Sequence, residues 1–507
     1  MNGASLGNYF TESFLFRKEK MAIVFLRDGK IETEMSYSKL NTDTNRMANT
    51  FSSMGIDKGD RVVLFMKKSL FFVVAYLALQ KIGAVSIPLN PEYTETEMAY
   101  FLKDADAKRI VLERESESLI QKIDPDIATL AVDSKQPYQA IDIFQPASKA
   151  FAPADIHPDD PSLMIYTSGT TSQPKGVVLT QKNLVHDAEN IIQVWGIDNR
   201  DVLCHALPLF HVHGLCFALH TALLTGACLL MHDQFNPRIV MATLANATEP
   251  NKCTIFMAVP AMYAKLMEAI GGRKHGFGHI RLWTSGSAPL LAKDFDRIRR
   301  VFGKEPVERE GMSETGMNFS NPLHGTRKPG SIGLPLPGLG VRIVDPKTGA
   351  DVTTGQRGEI WLKGDSITPG YWRKPEETAG AFEKGWFKTG DIGCVDADGY
   401  YYLTDRIKHI IISGGENISP KEVEIVIIQV EGVREVAVVG IPDEKWGEKV
   451  VAAVVPEPGA DILSDEIDAI CQTHLHKWKC PKKIVFVNAL PRNTMGKVLV
   501  EEVKKLF

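Results

Sequence analysis

The chain has 507 residues, of which 44% are hydrophobic and 24% charged, with 58 Lys and Arg against 62 Asp and Glu. That balance excludes a disordered chain, a collagen and a disulfide scaffold, and a formal charge of −4 lacks the basic surplus of a dedicated nucleic-acid binder. At about 150 residues per domain, the length predicts two or three domains or a few large lobes.

Seven cysteines with no C-x-x-C pair point to a reduced, cytoplasmic setting. The first 20 residues lack a basic stretch followed by an apolar core, so no signal peptide is predicted. Residues 60–68 read as a short buried strand and 69–83 as a helix ending at Gly83. Residues 84–90 predict the next strand, 94–106 a helix with acidic residues in its first turn, and 109–113 a further strand. This alternation predicts parallel sheets covered by helices, an α/β fold. Residues 135–160, rich in Pro and Ala, read as a surface connection, and 161–166 (PSLMIY) as a strand. The stretch 202–231 carries no Asp, Glu, Lys or Arg, a length that suits a membrane span. Pro208, Gly214, Gly226 and four histidines interrupt it, so a buried core segment and no membrane span is predicted.

Turns dominate 321–340, and short strands follow in a β-rich region. From about 409 the rhythm changes. Ser419 and Pro420 open a helix as N-cap and first helical residue, and strands, a helix and a last strand follow. The prediction is an N-terminal part over 1–404 with a β-rich subdomain, a joint at 405–408, and a small α+β domain over 409–507.

The strongest local signal is Tyr166-Thr167-Ser168-Gly169-Thr170-Thr171-Ser172-Gln173-Pro174-Lys175-Gly176, directly after a predicted strand. Hydroxyls, glycines and one lysine on such a turn suit a polyphosphate, because amides and hydroxyls donate to its oxygens while the lysine supplies charge. The spacing is not that of a Walker A loop, and a polar surface turn is the competing reading of the segment alone. Four further signals follow in order: Glu310-Gly311-Met312-Ser313-Glu314-Thr315, Thr389-Gly390-Asp391, Asp405-Arg406-Ile407-Lys408 leading to Ser413-Gly414-Gly415, and Arg492-Asn493-Thr494-Met495-Gly496-Lys497.

Together and in this order, the segments resemble the adenylate-forming superfamily of acyl-CoA synthetases, luciferases and peptide-synthetase adenylation domains, over about residues 30–505. The resemblance implies a large N-terminal part and a small C-terminal domain. It implies activation of a carboxylic acid by ATP to an acyl-adenylate, rotation of the C-terminal domain, and transfer of the acyl group to a thiol such as coenzyme A. Thr167, Ser168, Gly169, Thr170, Thr171, Ser172 and Lys175 then match the phosphate cradle. Glu314, with Thr170, matches the Mg2+ site, Thr315 lies by the α-phosphate, and Glu310, Gly311, Met312 and Ser313 fall on the adenine segment. Asp391 and Arg406 match the ribose positions, Lys408 the hinge, Gly414 and Gly415 the pantetheine tunnel, and Lys497 the lysine at the forming acyl-phosphate.

Two positions depart from the family pattern. Ser172 replaces a usual glycine, and Glu310 stands where an aromatic residue usually stacks on adenine. Within the superfamily, residues 205–215, 281–290 and 311–322 look most like malonyl-CoA synthetases, M-N-x-S-N-P above all. They bring His211, His213, Arg281, Ser285, Gly286, Ser287 and Met317 to the expected acid pocket. A diacid needs a buried cation or a dense set of donors for its second carboxylate. Arg281 has two readings, as that cation or as a tie between loops, and His211 and His213 read as pocket walls or satisfied core residues rather than a metal pair. The competing functions are a ligase for an aromatic, alicyclic or medium-chain monocarboxylate, and a nucleotide- or acyl-binding protein with weakened catalysis.

Overall fold

The computed structural model describes the chain apart from residues 1–4, 153, 168–172, 271–275, 414–415, 445 and 494–495, and apart from the side chains of 408 and 417. The chain forms two compact units, one of Met1–Gly340 with Lys363–Gly385 and one of Val341–Leu362 with Trp386–Phe507. The β-rich stretch after residue 340 therefore groups with the C-terminal segments.

The first unit holds two sheets among the described residues. One runs, edge to edge, through Gly370–Tyr371, Lys175–Thr180, Pro161–Thr167, Val85–Pro88, Arg61–Phe65, Arg109–Glu113 and Ala128–Val132. Its Val85–Pro88, Arg61–Phe65, Arg109–Glu113 and Ala128–Val132 strands pair in parallel, as the alternation predicts. The intervening helix Leu70–Ile82 begins where the Ser69 hydroxyl accepts from the Phe72 N–H and ends at Gly83 with φ +79°. That left-handed turn is one a glycine adopts without steric cost. Helix Glu95–Ala105 opens on a capping box between Thr94 and Glu97.

The other sheet runs through Leu334–Pro335, Gly316–Ser320, Val307–Met312, Leu282–Ser285, Ile255–Ala258, Val202–His205, Cys228–His232, Met21–Arg27 and Lys30–Ser36. The five successive strands from Val307–Met312 to Cys228–His232 are parallel. Consequently the loops after His205, Ala258 and Ser285 and the end of Val307–Met312 emerge at one edge, where open α/β sheets bind ligands.

The uncharged stretch 202–231 is a core segment: strand Val202–His205, π-helix His213–His220, helix Thr221–Thr225, then most of strand Cys228–His232. Among the described residues no helix is long and apolar enough to cross a membrane. The π-helix starts directly after His211 and Val212, and such wide turns recur at functional sites. Gly214 is required there, because a Cβ would stand 2.0 Å from the Pro208 carbonyl oxygen. The loop leading to it is braced from below. Lys68 donates to His205 Nδ1 at 2.7 Å and to the His205 carbonyl at 2.8 Å, and His205 Nε2 bonds the Gly214 carbonyl at 2.9 Å. The connection 135–160 is largely irregular, as predicted, yet it is pinned by buried Tyr138 and Phe144, and the Tyr138 hydroxyl donates to Asp43 at 2.7 Å.

In the second unit, strands Gly340–Val344, Gly358–Lys363, Trp386–Val395 and Tyr401–Arg406 make one sheet. Another joins Glu416–Ile418, Ile411–Ser413, Gly447–Pro456 and Val433–Asp443, with Lys483–Phe486 alongside Gly447–Pro456. Helix Pro420–Ile427 is capped by Ser419, as its sequence predicts, and buries Val423 and Ile427 against Val450, Ala452 and Val454.

Candidate active site

In the first unit the phosphate-loop strand ends at Thr167, which pairs in register with Lys175 on the returning strand. Ser168, Gly169, Thr170, Thr171 and Ser172 lie outside the described residues. Lys175 is largely buried, with its ammonium 5.2 Å from the centre of the Tyr371 ring. The same tyrosine donates its hydroxyl to Glu314 Oε1 at 3.3 Å, so one side chain touches both the lysine and the carboxylate. Glu314 is buried, and its carbonyl accepts from the Thr368 N–H at 2.8 Å. Burial and the neighbouring Glu314 raise the Tyr371 phenol above its usual range, so it remains a proton donor. A hard carboxylate oxygen of this kind is the chemistry magnesium takes.

Glu310-Gly311-Met312 ends strand Val307–Met312 and turns back into Gly316–Ser320, with Gly311 opposite Met317. A Cβ on Gly311 would stand 2.5 Å from the Gly316 carbonyl, so the two chains approach only because glycine is there. The Glu310 carboxylate accepts from Asn318 Nδ2 at 3.0 Å on the adjoining strand. Met312 and Ser313 are half-buried, whereas Thr315 is fully buried with its hydroxyl unpartnered.

Of the residues expected at an acid pocket, His213, Ser285, Gly286 and Ser287 lie together at the same edge, whereas Arg281 does not. His213 Nδ1 lies 3.3 Å from the Ser287 hydroxyl, while His211 Nε2, His213 Nε2 and Ser285 Oγ are buried without partners. Burial lowers His211 to about 4 and holds His213 well below the usual histidine range, with Arg309 adding to the second effect. Both rings are therefore neutral at physiological pH, fit to donate or accept single hydrogen bonds.

Arg281 stands elsewhere, a correction to its reading as the diacid-binding cation. It precedes strand Leu282–Ser285, whose four residues at about 3.3 Å each carry the chain roughly 13 Å to the other end. All three guanidinium nitrogens are engaged there: Nε and Nη2 with both oxygens of Asp201 at 2.8 and 2.6 Å, and Nη1 and Nη2 with the Trp195 and Gly196 carbonyls at 2.9 Å. It ties the start of two strands to the end of helix Gln181–Trp195. Arg281→Ala is expected to lower stability by about 2–3 kcal/mol, because it leaves the buried Asp201 uncompensated. It is expected to leave the ratio of diacid to monoacid turnover unchanged, which chemical denaturation and a two-substrate assay check.

The buried cation at the pocket is Arg309. It is 2% exposed, its guanidinium lies 4.9 Å from the centre of the Phe217 ring, and Nη2 is 3.4 Å from the Ser287 hydroxyl. Its Nε has no partner. Gly286 makes room for it, since a Cβ there would stand 2.6 Å from that Nε. Burial lowers Arg309 to about 10, opposed by Glu310 and Asp187, so the side chain stays cationic. The sequence reading passed over it, although it adjoins the Glu310-Gly311 motif. Its available signal was an arginine two residues after Val307 on one face of a strand that otherwise buries that face.

In the second unit Asp391 and Arg406 are cross-strand partners, with Arg406 Nε 2.6 Å from Asp391 Oδ1. Gly390, at φ +71°, gives the turn before the aspartate, and the Thr389 hydroxyl accepts from the Asp391 N–H at 3.0 Å. Lys408 lies in a single turn, Ile407–His409, and its side chain is outside the described residues, as are Gly414 and Gly415. Lys497 is exposed on a tight loop in which its N–H donates to Asn493 Oδ1 at 2.9 Å and its carbonyl accepts from the Asn493 N–H at 2.9 Å.

The AMP-binding enzyme family model matches residues 10–372, and the AMP-binding enzyme C-terminal domain model matches 422–497. An oxalate–CoA ligase of Arabidopsis thaliana is 34% identical over 475 residues, covering 92% of each chain. A long-chain-fatty-acid–CoA ligase, FadD13, of Mycobacterium tuberculosis is 34% identical over 474 residues with the same coverage. Among solved structures, ATP-bound MatB from Rhodopseudomonas palustris is 38% identical with a TM-score of 0.91, over 99% of both chains. The chain belongs to the AMP-binding enzyme family, within which it is an AMP-forming acyl-CoA synthetase.

Proposed function

We propose that this ligase activates a short dicarboxylic acid, malonate or a close relative, and that Arg309 receives the carboxylate that does not react. The observation that carries this reading is a buried guanidinium whose Nε lacks a partner, set among the neutral donors of Ser287 and His213. A monocarboxylate with an apolar tail leaves the Nε donor unmet, whereas a second carboxylate pairs with it and gains charge-assisted hydrogen bonds. The likeness of residues 311–322 to malonyl-CoA synthetases supports the reading, as does a relative named for oxalate, itself a dicarboxylate.

In the first half-reaction a carboxylate oxygen of the acid attacks the α-phosphorus of ATP, the bond to the bridging oxygen breaks and pyrophosphate leaves. In the second, the coenzyme A sulfur attacks the acyl carbon and the bond to AMP breaks. Attack on phosphorus needs charge neutralisation rather than a protein nucleophile. The family resemblance gives Thr167, residues 168–172 and Lys175 to the phosphates, Thr315 to the α-phosphate, Asp391 and Arg406 to the ribose, and Lys497 to the forming acyl-phosphate. Magnesium, when bound, supplies positive charge against the phosphates, and Glu314 with Thr170 would hold it. The methylenes of Glu310 take the place of an aromatic face against adenine.

Lys408 is the pivot of a C-terminal domain over 409–507. Asp405 supports this placement, because its Oδ2 accepts from the Ser419 hydroxyl at 2.6 Å and the Lys421 N–H at 3.2 Å and so fastens the chain to the helix beyond the pivot.

The test is coenzyme-A-dependent AMP formation over malonate, methylmalonate, acetate, butyrate, octanoate and benzoate. Activity confined to the two diacids is the expected result. Turnover of octanoate or benzoate at equal efficiency overturns the diacid reading in favour of an apolar acid, the class of the 34% identical long-chain relative.

A further inference from the structure

Helix Gln181–Trp195 brings one acid, Asp187, beneath the acid pocket. It is 4% exposed and makes a single hydrogen bond, from the Met317 N–H to Oδ1 at 2.8 Å. Gly316, at φ +70°, leaves the room it needs, since a Cβ there would stand 2.5 Å from the same oxygen. Asp187 borders a water-sized cavity of about 10 Å³ with Asn183, Val212, Cys216, Phe217 and Ser366. Phe217 also carries the Arg309 guanidinium against its ring, so one aromatic side chain joins the cavity to the pocket cation.

A buried carboxylate with one hydrogen bond is costly to keep ionised. The groups facing Asp187 are few. Strand Val307–Met312 contributes Arg309, the Gly316–Ser320 turn contributes the Met317 N–H, and the π-helix contributes the Cys216 thiol, which burial and Asp187 hold far above the thiol range. Strand Lys175–Thr180 and the 366 loop line the same cavity with Leu179 and Ser366, Asn183 joins them from the helix of Asp187, and Glu310 is the other carboxylate acting on Arg309. Burial pushes Asp187 up to about 7, with the Met317 N–H and Arg309 working against that rise.

The free protein thus holds the Arg309 guanidinium with two carboxylates acting on it, Glu310 beside it on the strand and the marginally ionised Asp187, which shares Phe217 as a neighbour. A substrate carboxylate arriving at Arg309 adds a further negative charge to the same low-dielectric enclosure, and three carboxylates beside one cation do not all remain ionised cheaply. We infer that Asp187 is a positioning and specificity residue: with Glu310 it balances the Arg309 charge in the empty site, and it takes up a proton when a diacid occupies that site. This rests on the reading that Arg309 receives the second carboxylate. The proton comes from solvent and returns there when the acyl-CoA leaves, so the overall reaction balance is unchanged.

The sign of the effect is fixed. Below pH 7 Asp187 is already protonated and the diacid meets an uncontested cation, whereas above pH 7 each binding event draws a proton from an ever more dilute supply. The KM for malonate is therefore expected to rise about tenfold between pH 7 and 8.5, while the KM for butyrate stays level. Asp187→Asn keeps an oxygen to accept from the Met317 N–H and removes the titration, so its malonate KM is expected to be low and flat across that range. Calorimetric titration of the wild-type enzyme with malonate at pH 8, beside a non-hydrolysable ATP analogue and in two buffers of different ionisation enthalpy, needs no variant. It is expected to show proton uptake approaching one per site, against none with butyrate.

A clear preference for malonate combined with a level pH profile, an equal slope in Asp187→Asn, or no proton uptake overturns the role of Asp187 alone. Absence of any diacid preference at every pH overturns the underlying reading of Arg309, and this inference with it.

Discussion

Replacing Arg309 by glutamine is expected to lower kcat/KM for malonate by about 10³ while leaving butyrate within about threefold of wild type. The magnitude follows from removing one partner of a buried charge pair, a loss of about 4 kcal/mol. Nothing else at the pocket substitutes for the charge. His211 and His213 are held neutral by burial, and Arg281 is engaged with Asp201 at the opposite end of its strand. Glutamine retains a donor toward Ser287 and much of the stem that packs on Phe217, so the pocket keeps its shape. Stability is expected to change little, because the desolvated guanidinium has an unpartnered Nε and Asp187, already raised to about 7 by burial, takes up a proton where the neighbouring cation is removed. Steady-state kinetics on the two acids, with thermal melts of both proteins, decides the matter. Parallel losses on both substrates would show Arg309 to be a structural residue.

The second large effect is expected from Lys497→Ala. Formation of the acyl-adenylate should fall by about 10² to 10³, the range found when one preorganised donor to developing charge is removed. Transfer to coenzyme A from supplied acyl-adenylate should stay within about threefold, because that step loses a phosphate ester rather than forming one. The loop around this residue is closed by the Lys497 N–H and carbonyl with Asn493 and by Gly496 at φ +76°, none of which involves the removed amine. Pyrophosphate release measures the first half-reaction, and AMP release from the preformed adenylate measures the second. An equal decline in both would remove the assigned role.

The comparison between these two residues shows where sequence was informative. Lys497, Asp391, Arg406 and Glu314 lie in short segments, each a turn, a glycine and a charged group, whose resemblance to the adenylate-forming superfamily implies their roles. Such segments are legible because neighbouring residues along the chain are also neighbours in space. The strand and helix rhythm of residues 60–113 was legible for the same reason, since Ser69, Gly83 and the Thr94–Glu97 pair mark their own element ends. The charge-free stretch was read as core, but not as a π-helix, because the constraint comes from the Pro208 carbonyl pressing on Gly214. Arg281 and Arg309 were indistinguishable as types. Which one meets the pocket depends on which end of a parallel strand each occupies.

The sequence by itself determined the α/β class, because that rests on periodicity, and it carried the ordered motifs whose resemblance to the adenylate-forming superfamily implies the ligase chemistry. Only the tertiary structure decided which arginine is buried beside Ser287 and which acid is buried at the Met317 N–H. Asp187, Phe217, Ser287 and Arg309 come from a helix, a π-helix, a loop and a strand that packing alone brings together. Their charge states follow from how far water is excluded, a property of the packed interior and not of any one segment.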